Sequence, residues 1–188
     1  MITFHRITDS SNALFVPALE IYINSFPVDE RRRVEDVEKL LGKDFYHFIA
    51  VYNERGVVIA ILVYWSFADF YYVEYIAVHP RFKAHGFGSQ VMNKFLEKRH
   101  EELPVVLEVE KVDENVPGFE KITRIQRVRF YNRLGFTISD VPYIQPPYAE
   151  GLKSLHLDLM QYGDILCENA QMVIDTLHER VYNHPFNY

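Results

Sequence analysis

The stretch His79–Val91, His-Pro-Arg-Phe-Lys-Ala-His-Gly-Phe-Gly-Ser-Gln-Val, constrains this chain more than any other. The apolar, β-branched run Tyr75-Ile-Ala-Val78 before it predicts a strand, and His79-Pro80 stops that strand. Two glycines one residue apart, Gly86 and Gly88, then open a helical pattern. Arg81, Lys83 and Lys94 lie between His79 and Leu96, and no Asp or Glu does. Glycines allow a ligand close to the backbone, and a helix N-terminus offers unpaired N–H groups to an anion. Strand, basic turn, Gly-x-Gly and helix together describe a seat for a pyrophosphate.

The remaining pattern predicts a mixed α/β (α+β) sheet of about seven strands flanked by helices. Strands are expected at 2–7, 45–52, 57–67, 70–78, 105–112, 136–141 and 154–162. Asp9-Ser-Ser-Asn12 supplies caps for a first helix ending near Phe26, and Asp29 for a second carrying Val34, Val37, Leu40 and Leu41. Val91, Met92, Phe95 and Leu96 form the buried stripe of the helix after the glycines. Residues 113–119 read as a loop, 123–134 as a helix closed by Gly135, and Pro142–Gly151 as a Pro- and Tyr-rich connection. Cys167, Ala170, Ile174, Leu177 and Val181 stripe a C-terminal helical extension over 164–188. With no linker or repeat, residues 1–188 are expected to form a single domain.

Charge and cysteine content narrow the partners. The net charge of −6 argues against bulk attraction to nucleic acid or anionic lipid. The one cysteine rules out an internal disulfide and any cysteine-pair metal site. His5, His47, His79, His85 and His156 show no metal-ligand spacing, so no metal is expected. No apolar run is long enough for a membrane span, and no secretory signal is visible, so a cytoplasmic protein is expected, monomer or homodimer.

Three readings compete for the glycine turn. A Walker A loop needs Gly-x4-Gly-Lys-Ser/Thr, and no such spacing occurs. A dinucleotide fingerprint needs a third small residue, where Val91 stands, and its first glycine at the strand end, whereas several residues separate Val78 from Gly86. The third reading is a family one. Val78-His-Pro-Arg-Phe-Lys-Ala-His-Gly-Phe-Gly resembles the acetyl-CoA signature of the GNAT superfamily of N-acyltransferases, Arg/Gln-x-x-Gly-x-Gly/Ala after a strand ending in Val-x-Pro. Arg129-Phe-Tyr-Asn-Arg-Leu-Gly-Phe136 resembles that family's later helix, Phe/Leu-Tyr-x-x-x-Gly-Phe. The pairing, some forty residues apart with one strand between, is far more specific than either motif. The chain departs from the pattern at Lys83, where Arg or Gln is usual and where charge is kept but the guanidinium fork is lost. It departs again at Arg124 and Arg127, where Asn and Ala are usual.

The resemblance implies an acyl-CoA N-acyltransferase fold and an enzyme that moves acetyl from acetyl-CoA directly to an amine. It implies that Ile76, Ala77 and Val78 hold the pantetheine and thioester, and that Lys83, Ala84, His85, Gly86, Phe87, Gly88 and Ser89 hold the pyrophosphate. Arg124 and Arg127 share a helix side with Tyr131 and suit a groove for phosphates. Tyr131 matches the family's general acid toward the sulfur. The base is expected at Glu74, on the strand face of Ile76 and Val78, or at Glu108, with Glu110 a competitor. The family's acceptor region maps to Phe26–Arg31 and Tyr143–Tyr148, where Phe26, Tyr71, Tyr143 and Tyr148 are expected to wall a pocket. With Asp29 and Glu74 this favours a cationic amine, and a small molecule or a peptide fits equally. A non-catalytic acyl-CoA-binding sensor of the same fold is the alternative.

Overall fold

The computed structural model describes residues 1–113, 116–149 and 151–182. The chain clusters into two compact units, Met1–Leu103 and the residues from Pro104 onward, each holding four of the eight strands found among the described residues.

The first unit is an antiparallel sheet in the order β1 (Ile2–Ile7), β2 (Tyr46–Asn53), β3 (Val58–Ser66), β4 (Tyr71–Val78). β3, Val-Ile-Ala-Ile-Leu-Val-Tyr-Trp-Ser, is buried along nearly its whole length. A strand that reads apolar without alternation must be covered on both faces, and here it is. On one face helix α1 (Phe15–Ser25) brings Phe15 and Tyr22 onto Phe48, and Tyr22 onto Tyr75 at 5.0 Å between ring centres. On the other, helix α3 (Phe87–Lys98) brings Phe95 to 4.8 Å from Tyr64 and 5.8 Å from Tyr71. Each such buried apolar side chain contributes about 1.5–3 kcal/mol relative to exposure, and together they set the sheet between two helical layers.

One irregularity matters for the site. Tyr75 pairs with Val63 and Val73 with Tyr64, so Glu74 is an extra residue on β4 with no partner across the ladder. Such a bulge bends the strand and re-aims a side chain, and simple alternation does not reveal it.

Local corrections follow from side-chain bonding. Asp29 does not cap helix α2 (Val34–Leu40), whose N-cap is Arg33; Asp29 lies in the short 3-10 turn Val28–Glu30. Asn12 does bond the N–H of Leu14 at 2.9 Å, just ahead of α1.

In the second unit β8 (Leu155–Tyr162) pairs antiparallel with β5 (Val105–Glu110), β6 (Thr137–Ile138) and β7 (Tyr143–Gln145). Among the described residues the strands therefore number eight, because the Pro- and Tyr-rich connection contains β7, while the strand expected at 136–141 shrinks to two residues. Helix α4 (Gly118–Arg133) begins five residues before the expected Thr123, taking in Gly118 and Phe119. Its end is as read: Gly135, at φ +91°, follows the last turn, and a Cβ there would sit 3.1 Å from the Tyr162 ring.

Helix α5 (Leu166–Thr176) continues into a π turn, Leu177–Val181. Its buried stripe is Leu166, Val173, Leu177 and Val181, so Cys167 is exposed rather than buried. The shift has a cause at the helix start. The side-chain oxygen of Gln161 accepts from the N–H groups of Ile165 and Leu166, and Asn169 leaves helical geometry (φ −122°, ψ 22°). Residues 183–188 of the expected extension lie outside the described residues. Among the described residues no helix is long and apolar enough to cross a membrane.

Candidate active site

The glycine turn leads from β4 into α3 through a short, hydrogen-bonded connection. β4 ends with the N–H of His79 donating to the Ile59 carbonyl at 2.8 Å. A 3-10 turn, Pro80–Phe82, follows, held by the Arg81 N–H on Nδ1 of His79. Ala84 (φ 65°) and Gly86 (φ 74°) then both adopt left-handed backbone. For Ala84 that conformation costs roughly 1–2 kcal/mol, and left-handed residues in a turn can bring successive backbone amides onto one side. His85 Nδ1 donates to the Lys83 carbonyl at 2.7 Å, which braces the turn from inside. The first intrahelical bond of α3 is Gln90 N–H to Gly86 carbonyl, and no side chain caps Gly86. The amides of Phe87, Gly88 and Ser89 thus have no helical partner. Lys83, Ala84, His85 and Gly86 are exposed and Phe87, Gly88 and Ser89 half-buried. Ile76 and Val78 are half-buried on β4, while Ala77 is turned to the buried side.

Glu74 is held by protein groups. Its carboxylate accepts from Arg32 Nε at 2.7 Å and from the Trp65 indole N–H at 2.7 Å, and its side chain is fully buried. The Arg32 guanidinium lies over the Trp65 ring at 5.3 Å. Around the pair, the Tyr22 hydroxyl donates to the Arg32 carbonyl, and the Arg32 N–H donates to the Tyr75 hydroxyl. Burial, reinforced by the Glu74 charge, pushes the phenols of Tyr22 and Tyr46 well above their ordinary value. The buried Tyr46 hydroxyl has no hydrogen-bond partner among the described residues. Arg32 and Trp65 hold the Glu74 carboxylate, a role that sequence reasoning missed. The signals were a run of three arginines in a connection and the chain's one tryptophan two residues from the end of a strand.

The expected aromatic wall divides. Phe26 packs on Tyr22 and Tyr75, the α1 side of the sheet. Tyr71 packs on Tyr64 and Phe95, the α3 side, and its hydroxyl accepts the His100 N–H. Phe26 and Tyr71 therefore do not line one pocket, since β4 separates them.

In the second unit Tyr131 lies on α4 with its ring buried against Phe130 and Phe136. Its phenol is pushed up to about 12, chiefly by burial; Arg127 works against that shift and Glu110 adds to it. The Tyr131 hydroxyl hydrogen-bonds no described residue. Arg127 pairs with Glu110, and Arg124 with Glu120 and with the Lys111 carbonyl at 2.7 Å. Residues 121–139 contain basic side chains and no Asp or Glu, and two of those arginines are thus countered by carboxylates lying before them in sequence.

Glu108 on β5 accepts from two phenols, Tyr143 and, at 2.7 Å, Tyr182. Burial and the adjacent carboxylate hold the Tyr143 proton in place, well past the ordinary phenol range. Tyr182, just beyond the π turn, is a further residue that the helical stripe did not disclose. Tyr148 stacks on Tyr182 at 5.1 Å, and His178 Nε2 donates to the Ile144 carbonyl. Among the described residues no group of three or more His, Cys, Asp or Glu is arranged to hold a metal.

A sequence profile described as "Acetyltransferase (GNAT) domain" matches residues 43–138. YjbC of Bacillus subtilis (strain 168), whose name assigns it provisionally to the acetyltransferases, is 34% identical over 113 residues, or 59% of this chain and 52% of YjbC. The chain spans about half the length of that curated relative. A solved structure from Bacteroides thetaiotaomicron, named provisionally as a GNAT-family acetyltransferase, superposes with a TM-score of 0.86 at 30% identity, over 97% of this chain and 99% of that one. A GNAT-family acetyltransferase of Elizabethkingia anophelis with acetyl-CoA bound gives 0.56 at 15% identity, over 87% and 98% of the two chains. At that identity the likeness is one of fold.

Proposed function

The chain belongs to the GNAT acetyltransferase family, and from that premise we propose that it transfers an acetyl group from acetyl-CoA to the primary amine of a small molecule or peptide. The left-handed pair Ala84 and Gly86, with uncapped amides behind it, supports this reading most, because it suits an anion of pyrophosphate size. In this proposal the backbone of 84–89 and the side chain of Lys83 hold the pyrophosphate, and the Ile76–Val78 stretch of β4 holds the pantetheine and polarises the thioester carbonyl.

The neutral amine attacks the thioester carbon, the new C–N bond forms, and the C–S bond breaks. One proton leaves the nitrogen and one reaches the sulfur, so amide and free thiol are the products. Tyr131 serves the sulfur. A phenol at about 12 keeps its proton at neutral pH, and full transfer to a thiolate of pKa ~8.5 is uphill by about 5 kcal/mol. Its contribution is therefore a hydrogen bond to the developing thiolate, with the proton itself delivered from solvent. For the base we assign Glu108 rather than Glu74. The phenols of Tyr143 and Tyr182 converge on Glu108 and orient its carboxylate, whereas the Glu74 carboxylate is committed to an ion pair with Arg32. Arg124 and Arg127, paired with Glu120 and Glu110, order α4 around Tyr131 in this scheme and contribute to phosphate binding only through residual positive potential.

The test is thiol release from acetyl-CoA over a panel of spermidine, 2-phenylethylamine, L-phenylalaninamide and a tripeptide with a free α-amine. Acetyl-CoA binding with no turnover on any of them would instead favour a non-catalytic sensor.

A further inference from the structure

We infer that Arg32 is a positioning residue for the acceptor side of the transfer: locked on the bulged Glu74, it fixes the segment Phe26–Arg33 in register with the strand that carries the donor seat. The inference rests on the acetyl-transfer reading above. Four groups from three different elements converge on this one connecting residue. They are the Glu74 carboxylate and the Tyr75 hydroxyl from β4, the Trp65 ring from β3 and the Tyr22 hydroxyl from α1.

What the anchor holds is not core. The turn Val28–Glu30 buries none of its residues, and Val28 is 74% exposed. A buried ion pair is weak evidence of added stability, because desolvation offsets most of the attraction, and an apolar pair of the same volume would hold a core as well. What a guanidinium on a carboxylate adds is one geometry: a planar fork with fixed donors. Ladder regularity is given up at Glu74 to aim that carboxylate. Two residues further along β4 comes Ile76, and then Val78 and the glycine turn. Arg32 thus ties an exposed connection to the same strand that ends in the donor seat, so the two are held at a fixed offset. This also accounts for Glu74 without making it the base.

Two variants and two readouts test it. Glu74→Gln removes the charge and keeps the volume, and Arg32→Lys keeps the charge and loses the fork. Trypsin cleavage after Arg31 and Arg33, with acetyl-CoA absent and at a temperature well below the melting of either protein, is expected to run at least ten times faster in Glu74→Gln than in the unaltered protein. On whichever of the four panel amines turns over, both variants are expected to raise the amine KM at least tenfold, Arg32→Lys less than Glu74→Gln. The acetyl-CoA dissociation constant, from direct titration, is expected to change less than twofold. Unchanged cleavage, or acetyl-CoA affinity falling in step with the amine, overturns the inference. A fall of kcat alone in Glu74→Gln, with the amine KM intact, also overturns it and returns Glu74 to the role of base. A panel silent for the unaltered protein overturns the transfer reading instead, and the trypsin arm then decides the anchor by itself.

Discussion

The hydroxyl of Tyr182 donates to Oε2 of Glu108 at 2.7 Å, across 74 residues of chain. The bond places the end of the last helical segment on β5, beside the carboxylate assigned here as base. Tyr182→Phe removes one donor to a half-buried carboxylate, a bond of about 1.5–3 kcal/mol. For a chain of this size that corresponds to a melting temperature lower by roughly 3–10 °C. Thermal unfolding followed by circular dichroism measures it; a shift under 1 °C contradicts the bond.

Tyr131→Phe deletes the hydroxyl and keeps the buried ring. Loss of a hydrogen bond to developing charge is expected to lower kcat by ~10–100-fold, while acetyl-CoA affinity stays within about twofold. Steady-state kinetics with a parallel binding titration separates the two. Because the phenol sits at about 12, activity is also expected to show no Tyr131 titration below pH 10.

Gly86→Ala probes the donor seat. A Cβ there meets nothing within 4 Å, so the cost to folding is only that of a left-handed alanine, roughly 1–2 kcal/mol. The same methyl group intrudes on the concavity, and acetyl-CoA affinity is expected to fall by about tenfold or more, of order 1.4 kcal/mol. Titration calorimetry beside thermal melting distinguishes a weakened seat from a weakened fold.

His47 gives a pH-dependent stability. Its ring stacks on Tyr64 at 4.4 Å and shares a hydrogen bond with the Ser66 hydroxyl. Burial, with help from Arg6 and against the pull of Asp44, pushes it down from 6.5 to about 4. The sign follows from proton counting. Between those values the unfolded chain binds the proton and the folded one does not, so stability is full above pH 6.5 and lost as pH falls toward 4. The ring is half-buried, so solvent screening trims the effect to about 1–2 kcal/mol. Urea unfolding at pH 7 and pH 4.5 measures it, and His47→Gln is expected to flatten the difference.

What could be read in the linear chain was local. The β4 strand, the glycine turn and the stripe of α3 are each set by neighbours a few residues apart, and all three stand where alternation and helical spacing put them. Long-range pairings had no such signature. Arg32 and Glu74 are 42 residues apart, and nothing in an arginine run says which of its members turns inward. The bulge at Glu74 is a property of two strands in register, so one strand read alone conceals it. β7 was hidden for a different reason: Tyr-Ile-Gln is only three residues long and is followed by two prolines, which read as a loop. The shifted stripe of α5 came from Gln161, whose side chain sets the helix start from the end of the previous strand.

Acetyl transfer itself is tested most directly by pairing thiol release from acetyl-CoA with mass spectrometry of the amine panel. The expected result is that, for at least one amine, thiol and N-acetylated product appear in equal amounts and both fall at least tenfold in Tyr131→Phe. Acetyl-CoA that binds the protein yet yields neither product over the whole panel would contradict it.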